Sequence, residues 1–122
     1  MQQVFLWLLF FHFLFDYPLQ GDFLSKAKNR SNPIPGIPWW QALGAHSFMH
    51  AMGVFIVTGY WFLFVVEFVV HYITDDLKCT NKLTFNQDQF IHVLCKVIYA
   101  FIVIYLMGPS LPIGNPADVW LV

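Results

Sequence analysis

Every histidine in this chain stands four positions from a carboxylate or from another histidine, and each such set interrupts an otherwise apolar segment. The sets are His12-x-x-x-Asp16, His46-x-x-x-His50, Glu67-x-x-x-His71-x-x-x-Asp75 and Asp88-x-x-x-His92. A separation of four puts two side chains on one face of a helix, a turn apart. An oily chain tolerates polar groups placed this way when its helices turn them toward one another. The pattern therefore predicts a helical bundle with a polar site inside it. It also points to bound metal, because neutral imidazole and carboxylate oxygen are ordinary ligands of zinc, manganese and iron.

Composition indicates the solvent around that bundle. Of the 122 residues, 58% are hydrophobic and only 11% charged, where ordinary soluble domains carry roughly 25% charged residues. Mean hydropathy is +0.60. A small integral membrane protein is expected, forming a single domain over residues 1–122. The net charge of -1 and pI near 6.5 give no basic footprint, so nucleic acid is not an expected partner.

The apolar runs predict spans over about 4–17, 39–59, 60–78 and 88–107. Some fall short of the ~20 apolar residues a spanning helix needs, so their polar ends must reach into the interface, helped by tilt or local thinning. Lipid leaves no backbone group unpaired, and no alternating barrel pattern is present, which favours helices. The predicted fold is all-α: a polytopic membrane four-helix bundle, with three spans as the main alternative. Met1-Gln2-Gln3 lacks the positive region of a signal peptide, so the first span is expected to remain. Pro18 should end or kink the first helix and open a short interfacial helix over Leu19 to Lys26. Ser31 to Pro38, with three prolines and a glycine, reads as a loop, and Trp39 and Trp40 mark an aromatic entry to the membrane. Gly59 is the expected turn between the second and third helices, and Thr80 to Gln89 the next connection. The tail, 108–122, contains Pro109, Pro112 and Pro116 and reads as extended.

Lys26, Lys28 and Arg30 lie in the first connection, and Lys78 and Lys82 in or beside the third. Positive-inside logic puts those connections in the cytoplasm and both termini outside it, in a bacterial inner membrane crossed several times. All four polar sets then fall in the cytoplasmic half. The outer stretches, Val4 to Phe11, Ala51 to Val57, Trp61 to Val66 and Val97 to Met107, hold no acid, base or histidine. An ionisable group near the bilayer centre costs ~2.5 to 3.5 kcal/mol on insertion scales, and one or two divalent ions would compensate. Candidate ligands are His12, Asp16, His46, His50, Glu67, His71, Asp75, Asp88 and His92, an arrangement related to di-metal carboxylate bundles. The plainer alternative is a hydrogen-bonded layer that glues the helices together.

Asp16, Asp75 and Lys78 are the candidate reacting groups. Lys78, at the cytoplasmic rim, would attract an anionic substrate or simply snorkel. Gln20 shares the His12 and Asp16 face only if the helix survives Pro18, and Gln89 points about 100 degrees away from Asp88 on an ideal helix. Asp22 and Asp76 are expected to be solvated. Cys79 and Cys95 form no CxxC motif, should stay reduced in the cytoplasm, and are given no role.

The run His12-Phe-Leu-Phe-Asp16-Tyr-Pro-Leu-Gln20, followed by His46-Ser-Phe-Met-His50, Glu67-Phe-Val-Val-His71-Tyr-Ile-Thr-Asp75-Asp-Leu-Lys78 and Asp88-Gln-Phe-Ile-His92, resembles the small membrane family called domain of unknown function 3307, found in bacteria and phages. The likeness runs from about Phe5 to Tyr105. It implies that these positions are the family's shared polar set, with Pro18, Gln20, Lys78 and Gln89 included, and it brings no activity with it. In style alone, the chain is also similar to membrane-bound metal-dependent hydrolases.

Three functions are compatible with this sequence. In a hydrolase, His46, His50, Glu67, His71, Asp75 and Asp88 would hold one or two ions that activate water, with a remaining carboxylate or histidine as base. The substrate would be a lipid or phosphoester at the inner leaflet, although no His-Glu-x-x-His spacing is present. In a proton or metal-ion relay the same residues would form the pathway, with Thr58 nearly the sole polar group toward the outer face. A non-enzymatic membrane-interaction or lysis-related protein would use the layer for helix register. The expected partners are membrane lipids, together with a second copy or another membrane protein.

Overall fold

The computed structural model describes residues 2–107, without the side chain of Gln2. Five α-helices and no strand occur among the described residues: α1 (Gln2–Asp16), α2 (Gly21–Ala27), α3 (Trp39–Thr58), α4 (Trp61–Cys79) and α5 (Phe85–Phe101). α5 runs on as wider π-helical turns over Ile102–Met107. The four long helices and the short α2 follow the expected order, and the tail expected to be extended lies outside the described residues.

Local chemistry accounts for the boundaries. α1 ends at Asp16 two residues before Pro18, and Gly21, at φ +63, takes the left-handed conformation that starts the chain in a new direction. The axes of α1 and α2 differ by 82°. α3 stops at Gly59, whose φ of 76 lets its N–H return to the Phe55 carbonyl at 2.7 Å. α5 begins three residues before the predicted span, because Thr84 and Gln87 form a reciprocal capping box.

The long helices pack in the cyclic order α1, α3, α4, α5 and back to α1, while α2 lies against α3. One end of the bundle holds an apolar core of Leu8, Val54, Leu63, Tyr99, Ala100 and Val103. The rest of the interior is mostly polar: His12, His46, His50, Glu67, His71, Asp75, Asp88 and His92 are all buried, beside Leu43 and Ala51. Phe10, Phe48, Trp61, Val65, Phe90 and Phe101 stand exposed on the helix surfaces.

The expectation of four membrane spans is reduced by the structure. Among the described residues one helix, Phe85–Met107, is long and apolar enough to cross a membrane, and α1 with α2 passes the same test only as a broken pair. α1 has just 15 residues, and α4 carries Glu67, Asp75, Asp76 and Lys78. Length limits the first and charge the second.

Candidate metal centre

Asp16 is the hub of the polar interior. Standing at the last turn of α1, it brings Oδ1 to 3.0 Å from His50 Nε2, 3.2 Å from His46 Nε2 and 3.9 Å from His71 Nε2. The i, i+4 spacing on α3 aims both of its histidines at this one oxygen, and α4 supplies His71 from the other side. One ligand atom from each of Asp16, His46, His50 and His71 lies within 4.8 Å of the rest.

The His46 and His50 approaches have the length of hydrogen bonds but not their alignment. Asp16 Oδ1 and the Nε2 atoms of His46, His50 and His71 are buried and have no well-aligned hydrogen-bond partner. Buried polar atoms are ordinarily satisfied, because leaving them unpaired costs ~1 to 3 kcal/mol each. Ligands of a tetrahedral zinc ion, at about 2.0 to 2.1 Å from it, lie about 3.3 Å from one another. The three edges from Asp16 Oδ1, 3.0, 3.2 and 3.9 Å, bracket that length, and this donor set fits a divalent ion.

The remaining carboxylates have cations. Lys28 and Lys78 both hold Asp75, at 2.5 Å each, and Lys78 also lies 3.4 Å from Asp88. Lys96 holds Glu67 at 2.5 Å. Asp16 alone among the four buried carboxylates has no lysine against it; its other oxygen accepts from Gln89 Nε2 at 2.8 Å. The same glutamine accepts at Oε1 from His12 Nε2, 3.1 Å away, and so ties α1 to α5.

A second group joins the first through His71. Glu67, His71 and His92 bring ligand atoms within 4.8 Å of one another, and His71 Nδ1 lies 3.5 Å from Glu67 Oε1. His92 gives Nε2 to Asp88 at 3.2 Å, which leaves Nδ1 buried and unbonded. The imidazoles of His50, His71 and His92 stack at 3.7 and 4.1 Å.

Of the nine predicted ligands, six thus fall into these two groups and three do not. His12 is turned to Gln89, Asp75 is paired with lysines and not with His71, and Asp88 is engaged by His92 and Lys78. Of the predicted reacting groups, Asp16 is central, whereas Asp75 and Lys78 are bound to each other, with the Lys78 side chain 20% exposed at the rim.

Four other expectations need correction. Lys28, read only as a cation of the first connection, belongs to the polar interior: the bend after Pro18 folds α2 back and buries its ammonium against Asp75 and Gln20. Gln20 reaches the site although the helix does not survive Pro18. Gln89 does not point away, since its length lets it reach Asp16 and Asp88 together. Asp76 is not simply solvated but pairs with Arg30 at 2.7 Å, whereas Asp22 is exposed as expected. The residue missed altogether is Lys96, whose signal was the continuation of Asp88-x-x-x-His92 by another four positions.

A family model described as "Protein of unknown function (DUF3307)" matches residues 4–115. No curated protein and no solved structure matches the chain.

Proposed function

The chain belongs to the DUF3307 family, and we propose that it is a membrane-embedded, metal-dependent hydrolase acting on a lipid or other phosphoester. One observation carries the reading: four buried ligand atoms, from Asp16, His46, His50 and His71, converge within 4.8 Å and have no hydrogen-bond partners. Asp16 brings the one buried carboxylate that no lysine neutralises, so a cation is what the set lacks.

Membrane placement is supported by the inverted distribution of polarity. Large apolar side chains stand outward along every long helix while the histidines and acids are inside, the arrangement expected where the surroundings are lipid.

Asp16, His46, His50 and His71 would hold the ion. A bound divalent ion lowers the pKa of water and polarises a phosphoryl or carbonyl oxygen. Gln89 fixes Asp16 through Oδ2, the oxygen turned away from His46 and His50. Lys78, the only partly exposed ammonium of the cluster, would receive an anionic substrate group at the rim, and Asp75 would keep that ammonium oriented.

The test is metal content by elemental mass spectrometry on detergent-purified protein, beside His46→Ala/His71→Ala, followed by assay on phosphoesters in mixed micelles. Near-stoichiometric zinc, manganese or iron, absent from the variant, together with turnover supports the proposal. No metal after incubation with each ion overturns it.

Lys96 and Tyr99 favour a proton relay as the second reading. They extend the buried polar groups along α5 beyond His92, with the ammonium 5.6 Å from the Tyr99 ring centroid. Proton flux in proteoliposomes, abolished by His71→Ala without any metal requirement, would select it.

A further inference from the structure

We infer that Lys96 is a built-in substitute for a second metal ion: its ammonium keeps the centre mononuclear by occupying the cation position of the Glu67, His71 and His92 group. This rests on the metal reading of the Asp16 centre.

The two groups have the layout of an imidazolate-bridged dinuclear site, in which His71 would release its ring proton to solvent when both positions are filled. His71 stands between them, with Nε2 toward Asp16 at 3.9 Å and Nδ1 toward Glu67 at 3.5 Å. His92 Nδ1 and Glu67 Oε2 are buried without hydrogen-bond partners, so ligand capacity is present on the second side as well. What differs is the charge. Asp16 faces only imidazoles and an amide, whereas Glu67 Oε1 has the Lys96 ammonium at 2.5 Å, and both side chains are almost fully buried. A divalent ion placed there would lie against a fixed positive charge in a medium that screens it poorly.

Removing the ammonium should therefore open the second position. Lys96→Met keeps most of the side chain's bulk, takes away the charge and leaves Glu67 buried without a cation, a state that metal would relieve. Lys96→Arg keeps the charge and should keep the position closed.

The experiment uses the full chain in detergent, loaded with zinc or with manganese, desalted, and analysed for metal per chain and for the metal-induced rise in melting temperature. One ion in the wild type and in Lys96→Arg, but two in Lys96→Met with a larger thermal gain, is the expected result. Lys96→Gln serves as the second charge-removing variant if Lys96→Met loses its helical circular dichroism. One ion in both charge-removed variants, or two in the wild type, overturns the Lys96 assignment while leaving the Asp16 centre standing. No ion in the wild type removes that centre itself, and the inference with it.

Discussion

Lys28 Nζ lies 2.5 Å from Asp75 Oδ2, with side chains 2% and 1% exposed, although 47 residues separate them in the chain. The pair pins the short α2 segment over the polar end of the bundle. Replacing Lys28 with Met leaves the Asp75 carboxylate buried with Lys78 alone. Breaking a buried pair from one side costs about 3 to 5 kcal/mol when the remaining charge has no other partner; because Lys78 still holds Asp75, a smaller loss is expected in unfolding measurements in detergent. The double variant Lys28→Met/Asp75→Asn should recover part of the loss. A cycle with no coupling would mean that the two residues do not interact.

How much of this site was legible depends on how far each residue's role is local. The pairing of His46 with His50 follows from helix geometry alone, and both reach the centre. The stop at Gly59 was equally readable, since a residue without Cβ takes φ 76 at little cost. Lys28 was not readable. Beside Asn29, Arg30 and Ser31 it looks like any loop cation, and only the 82° bend between α1 and α2 carries it inward. Lys96 was hidden for the opposite reason, because a single lysine amid Cys95, Val97 and Ile98 hardly disturbs an apolar run. Gln89 was misjudged because a helical wheel fixes the direction of Cβ and not the reach of a long side chain.

Gly53 on α3 packs tightly against Phe11 and Phe15 of α1. A Cβ there would stand 3.0 Å from Phe11 Cβ and 3.1 Å from Phe15 Cε2, so α1 must give by a few tenths of an ångström to admit it. Gly53→Ala is expected to destabilise by about 1 to 3 kcal/mol, the usual range for overpacking. It should also weaken metal binding, because Asp16 is carried on α1 and its partners His46 and His50 on α3. Thermal unfolding and a zinc titration on the same preparation test both effects. Unchanged metal affinity would show that the centre is not held by this helix pair.

Trp61 tests the lipid surroundings directly. Its indole is 62% exposed and stacks at 4.1 Å on Phe55, near the turn that joins α3 to α4. In a variant that keeps Trp61 as its sole tryptophan, brominated acyl chains should quench the emission strongly, while an aqueous quencher should act weakly. Strong aqueous quenching with no effect of bromine would place this end of the bundle in water and remove the membrane reading there.

Asp16→Asn separates metal ligation from structural packing most sharply. The substitution preserves size and removes the one buried carboxylate charge that no lysine balances. If the four convergent groups only fill space, the neutral amide should be tolerated well, because burying an unpaired carboxylate is the costlier state. If they hold a divalent ion, the variant loses an anionic ligand, and its zinc affinity should fall by more than the ~10- to 100-fold typical of losing a partner outside the ligand shell. Gln89→Leu supplies that milder comparison, since Gln89 Nε2 orients Asp16 through Oδ2 at 2.8 Å without joining the convergent set. The expected order of affinity is wild type, then Gln89→Leu, then Asp16→Asn, measured by competition with a chromogenic chelator. Equal affinity in all three proteins would show that zinc binds elsewhere and would leave Asp16 a purely structural hub.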